Sequence, residues 1–214
     1  MDTIIFKHVI PKAFASSQEL NSHVWKNDIV FEKGKSYLIQ AESGKGKSTF
    51  CSYLIGYRND FTGDILFDQN NVSSFNTKQW SNIRTHHISY LFQELRLFPE
   101  LTAIENVIIK NRLTNYKQTQ DIIKYFDIMG IAEKKDVPIR KMSFGQQQRV
   151  AIIRALCQPF DFILLDEPIS HLDDHNATKI AHILTHEAKT QGAAIIVTSI
   201  GKHPPINYDQ NVLL

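Results

Sequence analysis

The run SYLIQAESGKGKSTFCSYL, residues 36–54, constrains the fold more than any other part of the chain. A short apolar strand pattern feeds directly into a loop of small residues and lysines, and a helix-length segment starts where that loop ends. A strand that breaks at glycines and restarts as a helix turns its backbone N–H groups towards whatever lies over the helix start, and that position favours an anion. Gly44 and Gly46 allow the backbone to approach phosphate oxygens closely, Lys47 places a cation beside them, and Ser43, Lys45, Ser48 and Thr49 complete the cradle. The cradle alone leaves open whether the anion is bound, transferred or hydrolysed.

With 214 residues, 43% of them hydrophobic, the chain can bury a full core. The 24 Lys+Arg balance 22 Asp+Glu, so no single-sign surface field arises and direct nucleic-acid binding is not expected. Cys51 and Cys157 have no metal-ligand spacing and form no disulfide framework, which favours a reducing compartment. The N-terminal MDTIIFKHVIPKAF lacks the pattern of a secretion signal, and no apolar run of about 18 residues occurs. The expectation is a chain that neither crosses a membrane nor is exported, and that reaches a membrane only by docking to another protein.

TIIFKHVI, SYLIQA, DILF, ISYLF, FILLD and AAIIVT have strand length, and several are continuously apolar, as parallel strands buried on both faces require. Helical patterns lie between some of them, at residues 47–56, 143–157 and 174–190. Alternation of this kind predicts an α/β sheet with crossover connections. From about Thr102 to Lys141 helical patterns dominate, so a mostly helical subdomain is expected between two sheet strands.

Two further motifs carry chemistry. The P-loop pattern G-x-x-x-x-G-K-[ST] is met by Gly46, Lys47 and Ser48, with Ala41 in place of the first glycine, and the Ser48 hydroxyl is suited to Mg²⁺. FDFILLDEP delivers Asp166 and Glu167 at the end of an apolar strand. Asp166 suits the Mg²⁺ shell and Glu167 suits polarising an attacking water.

Between these lies KMSFGQQQRVAIIRAL, which resembles the signature segment of the ATP-binding cassette (ABC) ATPases: Ser143, Phe144, Gly145 and Gln146 stand where the family has Ser-Gly-Gly-Gln. YLFQELRLFPELTAIENV resembles the family's Q-loop, with Gln93 as its glutamine, and ISHLDDHN its D-loop, with Asp173 as its aspartate. The chain is most similar to the small cassettes of lipoprotein-release, macrolide-export and cell-division systems. The resemblance implies an ABC-type P-loop ATPase with a mixed, mostly parallel core sheet, an N-terminal antiparallel β part and an inserted helical subdomain. It implies a single domain over 1–214, the catalytic core being 1–92 and 160–214 and the helical insertion about 93–159.

It further implies ATP and Mg²⁺ as ligands, with Ser48, Gln93 and Asp166 near the metal and Glu167 as base. Partners would be a second ATPase subunit, identical or different, paired head to tail, and a transmembrane permease at the cytoplasmic face of the inner membrane. Ser143 and Gly145 would then contact the γ-phosphate held by the opposing chain, with Gln146 and Asp173 at the same interface. In ELRLFPEL, residues 94–101, apolar side chains are expected at the permease-docking surface. The alternative is a soluble cassette acting on DNA, ribosomes or iron–sulfur assembly. A P-loop kinase would need an acceptor lid and have no use for SFGQQQR.

Adenine stacking falls to Phe14, with Trp25 as competitor. The family's switch histidine is absent: Ser199 stands at that position and His203 lies four residues on. Losing one preorganised donor predicts hydrolysis slowed about 10²–10³-fold, unless Glu167 alone suffices. His175, His182 and His186 recur on one helical segment without the further ligands of a zinc site and are read as a solvated face.

Overall fold

The computed structural model describes residues 1–16, 21–42 and 44–214; Ser43, one of the cradle residues, lies outside them. The chain builds two sheets. Strands β1 (Thr3–Pro11), β2 (Asp28–Glu32), β4 (Phe61–Phe67) and β5 (Asn70–Asn71) form an antiparallel sheet in the order β2-β1-β4-β5. Strands β3 (Ser36–Gln40), β6 (Ile88–Leu91), β7 (Phe162–Asp166), β8 (Ala194–Ser199) and β9 (Gln210–Leu213) form a parallel sheet in the order β6-β7-β8-β3-β9.

The α/β fold with an N-terminal antiparallel β part and a parallel core sheet is as expected, the antiparallel strands forming a sheet of their own. Burial explains the division. Every residue of β7 and β8 is buried, as a strand covered on both faces demands, whereas β2 alternates exposed and buried and is covered on one face.

Parallel strands need crossovers, and helices supply most of them: α1 (Lys47–Leu54), α2 (Thr77–Asn82), α3 (Ala103–Asn111), α4 (Thr119–Ile128), α5 (Phe144–Leu156) and α6 (Asp174–Gln191). The two faces of the parallel sheet anchor two hydrophobic clusters. Leu38, Ile163, Leu165, Ile195 and Val197 face α3, α4, α5 and α6, while Ile39, Phe162, Leu164 and Ile196 face α1 and the antiparallel sheet. The helical stretch after Gln93 thus shares its core with one sheet face instead of enclosing a separate one.

Register brings the chemistry-bearing segments to one edge. Gln40 pairs with Ser199 and Asp166 with Thr198, so the carboxyl ends of β3, β7 and β8 lie side by side beneath the start of α1. In open α/β sheets that edge is where ligands bind.

One buried polar cluster ties the helical stretch to α6. Glu187 on α6, 4% exposed, accepts hydrogen bonds from the Tyr125 hydroxyl on α4 and from Lys117 Nζ at 2.8 Å. The Lys117 ammonium also lies 4.9 Å from the centroid of the Tyr116 ring. Removing the cation alone strands a buried carboxylate, so Lys117→Met is expected to cost about 3 kcal/mol in chemical denaturation. Lys117→Met/Glu187→Leu should recover part of that loss.

Candidate functional site

The phosphate cradle opens α1. Gly46 caps the helix with φ 100°, a left-handed conformation open to glycine, and a Cβ there would meet Phe14 Cε2 at 2.8 Å. Phe14 is thus laid against the loop, half-buried, while Trp25 is fully buried in the aromatic core with Phe6, Phe50 and Tyr53. Depth favours Phe14 as a stacking platform: it is half-buried beside the cradle, whereas Trp25, whose Nε1 reaches the Lys45 carbonyl at 3.5 Å, is fully buried. Gly44, at φ 80°, and Lys45 are exposed on the loop, and the Ser48 hydroxyl is exposed with no partner among the described residues. Thr49 is buried and its hydroxyl accepts from Arg58 Nη1 at 3.0 Å, which turns its side chain to structural use.

Lys47 is 8% exposed, and its ammonium donates to the Ala41 carbonyl at 3.4 Å and lies 3.7 Å from Glu167 Oε1. Both partners are poor matches for a buried cation, being long and few. A polyphosphate over the cradle would offer it shorter, stronger acceptors.

Asp166 and Glu167 follow the buried strand β7 and are themselves 3% and 7% exposed. Asp166 Oδ1 accepts from the Thr198 hydroxyl at 2.6 Å and Oδ2 from the Tyr90 hydroxyl at 3.4 Å. Burial nevertheless pushes its carboxyl above the ordinary range. Glu167 has φ 51°, a strained conformation for a side chain of its size, which bends the chain as it leaves the strand. Its Oε1 accepts from the Ile200 amide at 3.0 Å, and burial raises its pKa while Lys47 opposes the rise. A carboxyl held in this way is suited to taking a proton from water. The Asp166 carboxylate and the free Ser48 hydroxyl are hard oxygen donors on the same edge, a set that fits Mg²⁺. That ion would supply charge neutralisation of phosphate oxygens.

Ser143 caps α5. Its oxygen accepts from the Gln146 amide at 3.4 Å while the Gln146 side chain accepts from the Ser143 amide at 3.0 Å. The serine proton stays free to donate outward. Gly145 packs against the loop before α6, where a Cβ would stand 3.2 Å from Leu172 Cδ2. Asp173 caps α6 by accepting from the Asn176 amide at 2.8 Å, and that bond holds its carboxyl below the usual range. Gln93 is exposed just beyond β6.

Ser199 is 1% exposed, and its hydroxyl donates to the Lys202 carbonyl at 2.9 Å and accepts from the Gly201 amide at 3.0 Å. Its proton is therefore spent within its own turn. His203 packs edge-on to Tyr208, with Nδ1 3.2 Å from the Pro204 carbonyl, and does not replace it. Thr198 and Tyr90 donate to the Asp166 carboxylate and Gln148 Nε2 donates to the Glu167 backbone carbonyl at 3.1 Å; none of the three has a role assigned from the sequence, although Tyr90 and Gln148 lie inside the Q-loop and signature segments.

The sequence profile described as "ABC transporter" matches residues 26–170, a span that includes the cradle, Gln93, Ser143 to Gln146 and Asp166–Glu167. The chain belongs to the ABC transporter family of ATP-binding cassettes. It is 31% identical over 193 residues to the lipoprotein-releasing system ATP-binding protein LolD of Bacteroides fragilis, covering 89% of this chain and 88% of that one. It is 34% identical over 176 residues to the uncharacterized ABC transporter ATP-binding protein YclH of Bacillus subtilis, covering 80% and 76%. Among solved structures it resembles the dimeric ABC transporter cassette MJ0796, with a TM-score of 0.79 and 25% identity over 92% of this chain and 88% of that one. A second structure of MJ0796, a dimeric post-hydrolysis state bound to ADP and Pi, gives a TM-score of 0.76 with the same identity and coverage.

The cassette also carries a groove of about 270 Å³ beside residues 94–101, between the end of β6, α3 and α5. Of the apolar residues in that stretch Leu95 is buried, Leu97 and Leu101 are half-buried, and Phe98 is 53% exposed. Leu95 and Arg96 have left-handed backbones, and their carbonyls are held by Arg154 from α5. Phe98, Ile109 and Leu113 line the groove with exposed apolar surface, Arg96, Lys110 and Arg154 supply cations, and among the described residues no carboxylate lines it.

Burial, with the neighbouring Arg154 charge, pushes Lys110 down to about 8. Its folded-state value lies below its ordinary one, so the half-buried charge destabilises the fold fully below about pH 8 and the penalty fades as pH rises towards 10.5. Lys110→Met is accordingly expected to stabilise the cassette by roughly 2 kcal/mol at pH 7 and by almost nothing near pH 10.5, in denaturant melts at the two pH values.

Proposed function

We propose that the chain is the ATP-hydrolysing subunit of an ABC transporter or related membrane complex, closing head to tail with a second cassette around Mg-ATP and driving a separate membrane subunit. The observation that carries this reading is the buried Lys47–Glu167 pair at 3.7 Å, beneath a glycine-capped helix and beside Asp166. ATP would draw Lys47 onto its β- and γ-phosphates, leaving Glu167 held by the Ile200 amide and free to take the proton of a water attacking the γ-phosphorus. The adenine ring would lie on Phe14.

Head-to-tail closure is supported by the start of α5, where the free serine proton and the helix N-terminus form an anion site that no phosphate of the same chain need fill. Phe144 at 43% and Ile200 at 58% exposure leave apolar side chains on the rim of the site, which a second protomer would cover. With Glu167→Gln the bound ATP is not cleaved, so the closed pair should accumulate. Light scattering is expected to show a dimer with Mg-ATP and a monomer without nucleotide; a monomer in both conditions would sink the proposal.

The membrane subunit would engage the groove beside Phe98. Because Phe98 is exposed while Leu97 is packed into the core, Phe98→Asp tests docking without disturbing the fold. It should abolish co-purification with the permease and leave ATP affinity within about twofold.

We further read Ser199 as a slow-turnover device, since its proton is engaged inside its own turn. Ser199→His would restore an imidazole donor towards the γ-phosphate. Steady-state turnover should rise by about 10²-fold with KM nearly unchanged; no gain would show that Glu167 suffices alone.

A further inference from the structure

The turn that follows β8 does more than fill the place of a missing histidine. Ser199 pins it from within, through its bonds to the Lys202 carbonyl and the Gly201 amide. From one end of this turn the Ile200 amide reaches Glu167 Oε1 at 3.0 Å. From the other end the Lys202 ammonium reaches across to the start of α6 and the residues before it, donating to the Leu172 carbonyl at 2.7 Å and pairing with Asp174 Oδ1 at 2.9 Å. The same segment returns to Glu167, whose carbonyl accepts from the Ser170 hydroxyl at 3.3 Å. The bonds close a ring from Glu167 through Ser170 and Leu172 to Lys202, and back through the serine-pinned turn to the Glu167 carboxylate.

We propose that Lys202 is a positioning residue for hydrolysis, fastening the segment Leu172–Asp174 to the turn whose Ile200 amide holds Glu167, so that placing this segment at the closed interface also places the base. The inference rests on the ATPase reading above and adds to it a residue that acts through Leu172 and the turn after β8.

The energetics set its signature. The Lys202 and Asp174 side chains are 45% and 96% exposed, and an ion pair so open contributes little to the stability of a single protomer. Asp174 at the first turn of α6 is also favoured by the helix dipole whether or not Lys202 is present. The bond to the Leu172 carbonyl is the specific anchor. Between two closed protomers water is excluded and the same contacts strengthen. Lys202 should therefore matter in the step that needs the closed pair and hardly at all in the folding or nucleotide affinity of the free chain.

The test is steady-state ATP turnover of the full chain with Mg-ATP, together with thermal melts, for Lys202→Gln and Lys202→Arg. Lys202→Gln is expected to lower kcat roughly tenfold with KM for ATP within about twofold and the melting temperature within about 2 °C of the parent. Lys202→Arg, which keeps a donor and the charge, should recover most of the rate. A kcat for Lys202→Gln within about twofold of an active parent overturns the inference alone. So does a loss of rate that follows a fall in melting temperature, or one that arginine does not rescue, since either marks a merely structural contact. A parent chain without any turnover overturns the ATPase reading, and this inference with it.

Discussion

A buried lysine that has no good partner of its own governs the rest of this structure. Lys47 sits at the foot of a glycine-shaped loop, with a 3.4 Å carbonyl and a 3.7 Å carboxylate as its only contacts among the described residues. Desolvating an ammonium costs several kcal/mol, and long contacts do not offset it. The cradle is thus an incomplete electrostatic arrangement that a polyphosphate completes. The parallel sheet exists, in functional terms, to bring the ends of β3, β7 and β8 under that lysine, and the register between them does so directly.

The two carboxylates next to Lys47 are held with different geometry. Asp166 ends a buried strand and takes hydroxyl donors from Thr198 and Tyr90, so its direction is fixed by the sheet itself. Glu167 leaves the strand through a left-handed bend and takes an amide donor from the turn after β8. One is thereby bound to the rigid core and the other to loops. The proposed division of labour, with Asp166 facing the metal and Glu167 accepting the proton, would follow from that difference in support, since a loop-held group can adjust when phosphates arrive.

The cradle, the Asp166–Glu167 strand end and the capping serine of α5 were all legible in the sequence, because each depends on local spacing along one element. What was not legible depends on depth and on pairing between distant segments. Phe14 reads as the stacking residue with Trp25 as its competitor, and only depth distinguishes a half-buried ring from a fully buried one. The apolar residues of 94–101 read alike as docking anchors, yet Leu95, with a left-handed backbone, is buried while Phe98 stays exposed. Thr198 supports Asp166 only because two strands that are far apart in sequence lie in parallel register. The N-terminal antiparallel part is expected from the family resemblance rather than from apolar runs, and the alternation in β2 carries it once the pairing is known. Ser199 could be recognised as a departure, but not that its proton is already engaged.

The central claim is that a triphosphate takes Lys47 away from Glu167 and is then shared by two chains. A crystal structure of the Glu167→Gln variant with Mg-ATP measures this directly. The expected result is the Lys47 ammonium on the β- and γ-phosphates, beyond hydrogen-bonding distance of residue 167, with Ser143 of an opposing protomer within hydrogen-bonding distance of the γ-phosphate. ATP bound with Lys47 still at residue 167, or with no opposing Ser143 near it, would contradict the account.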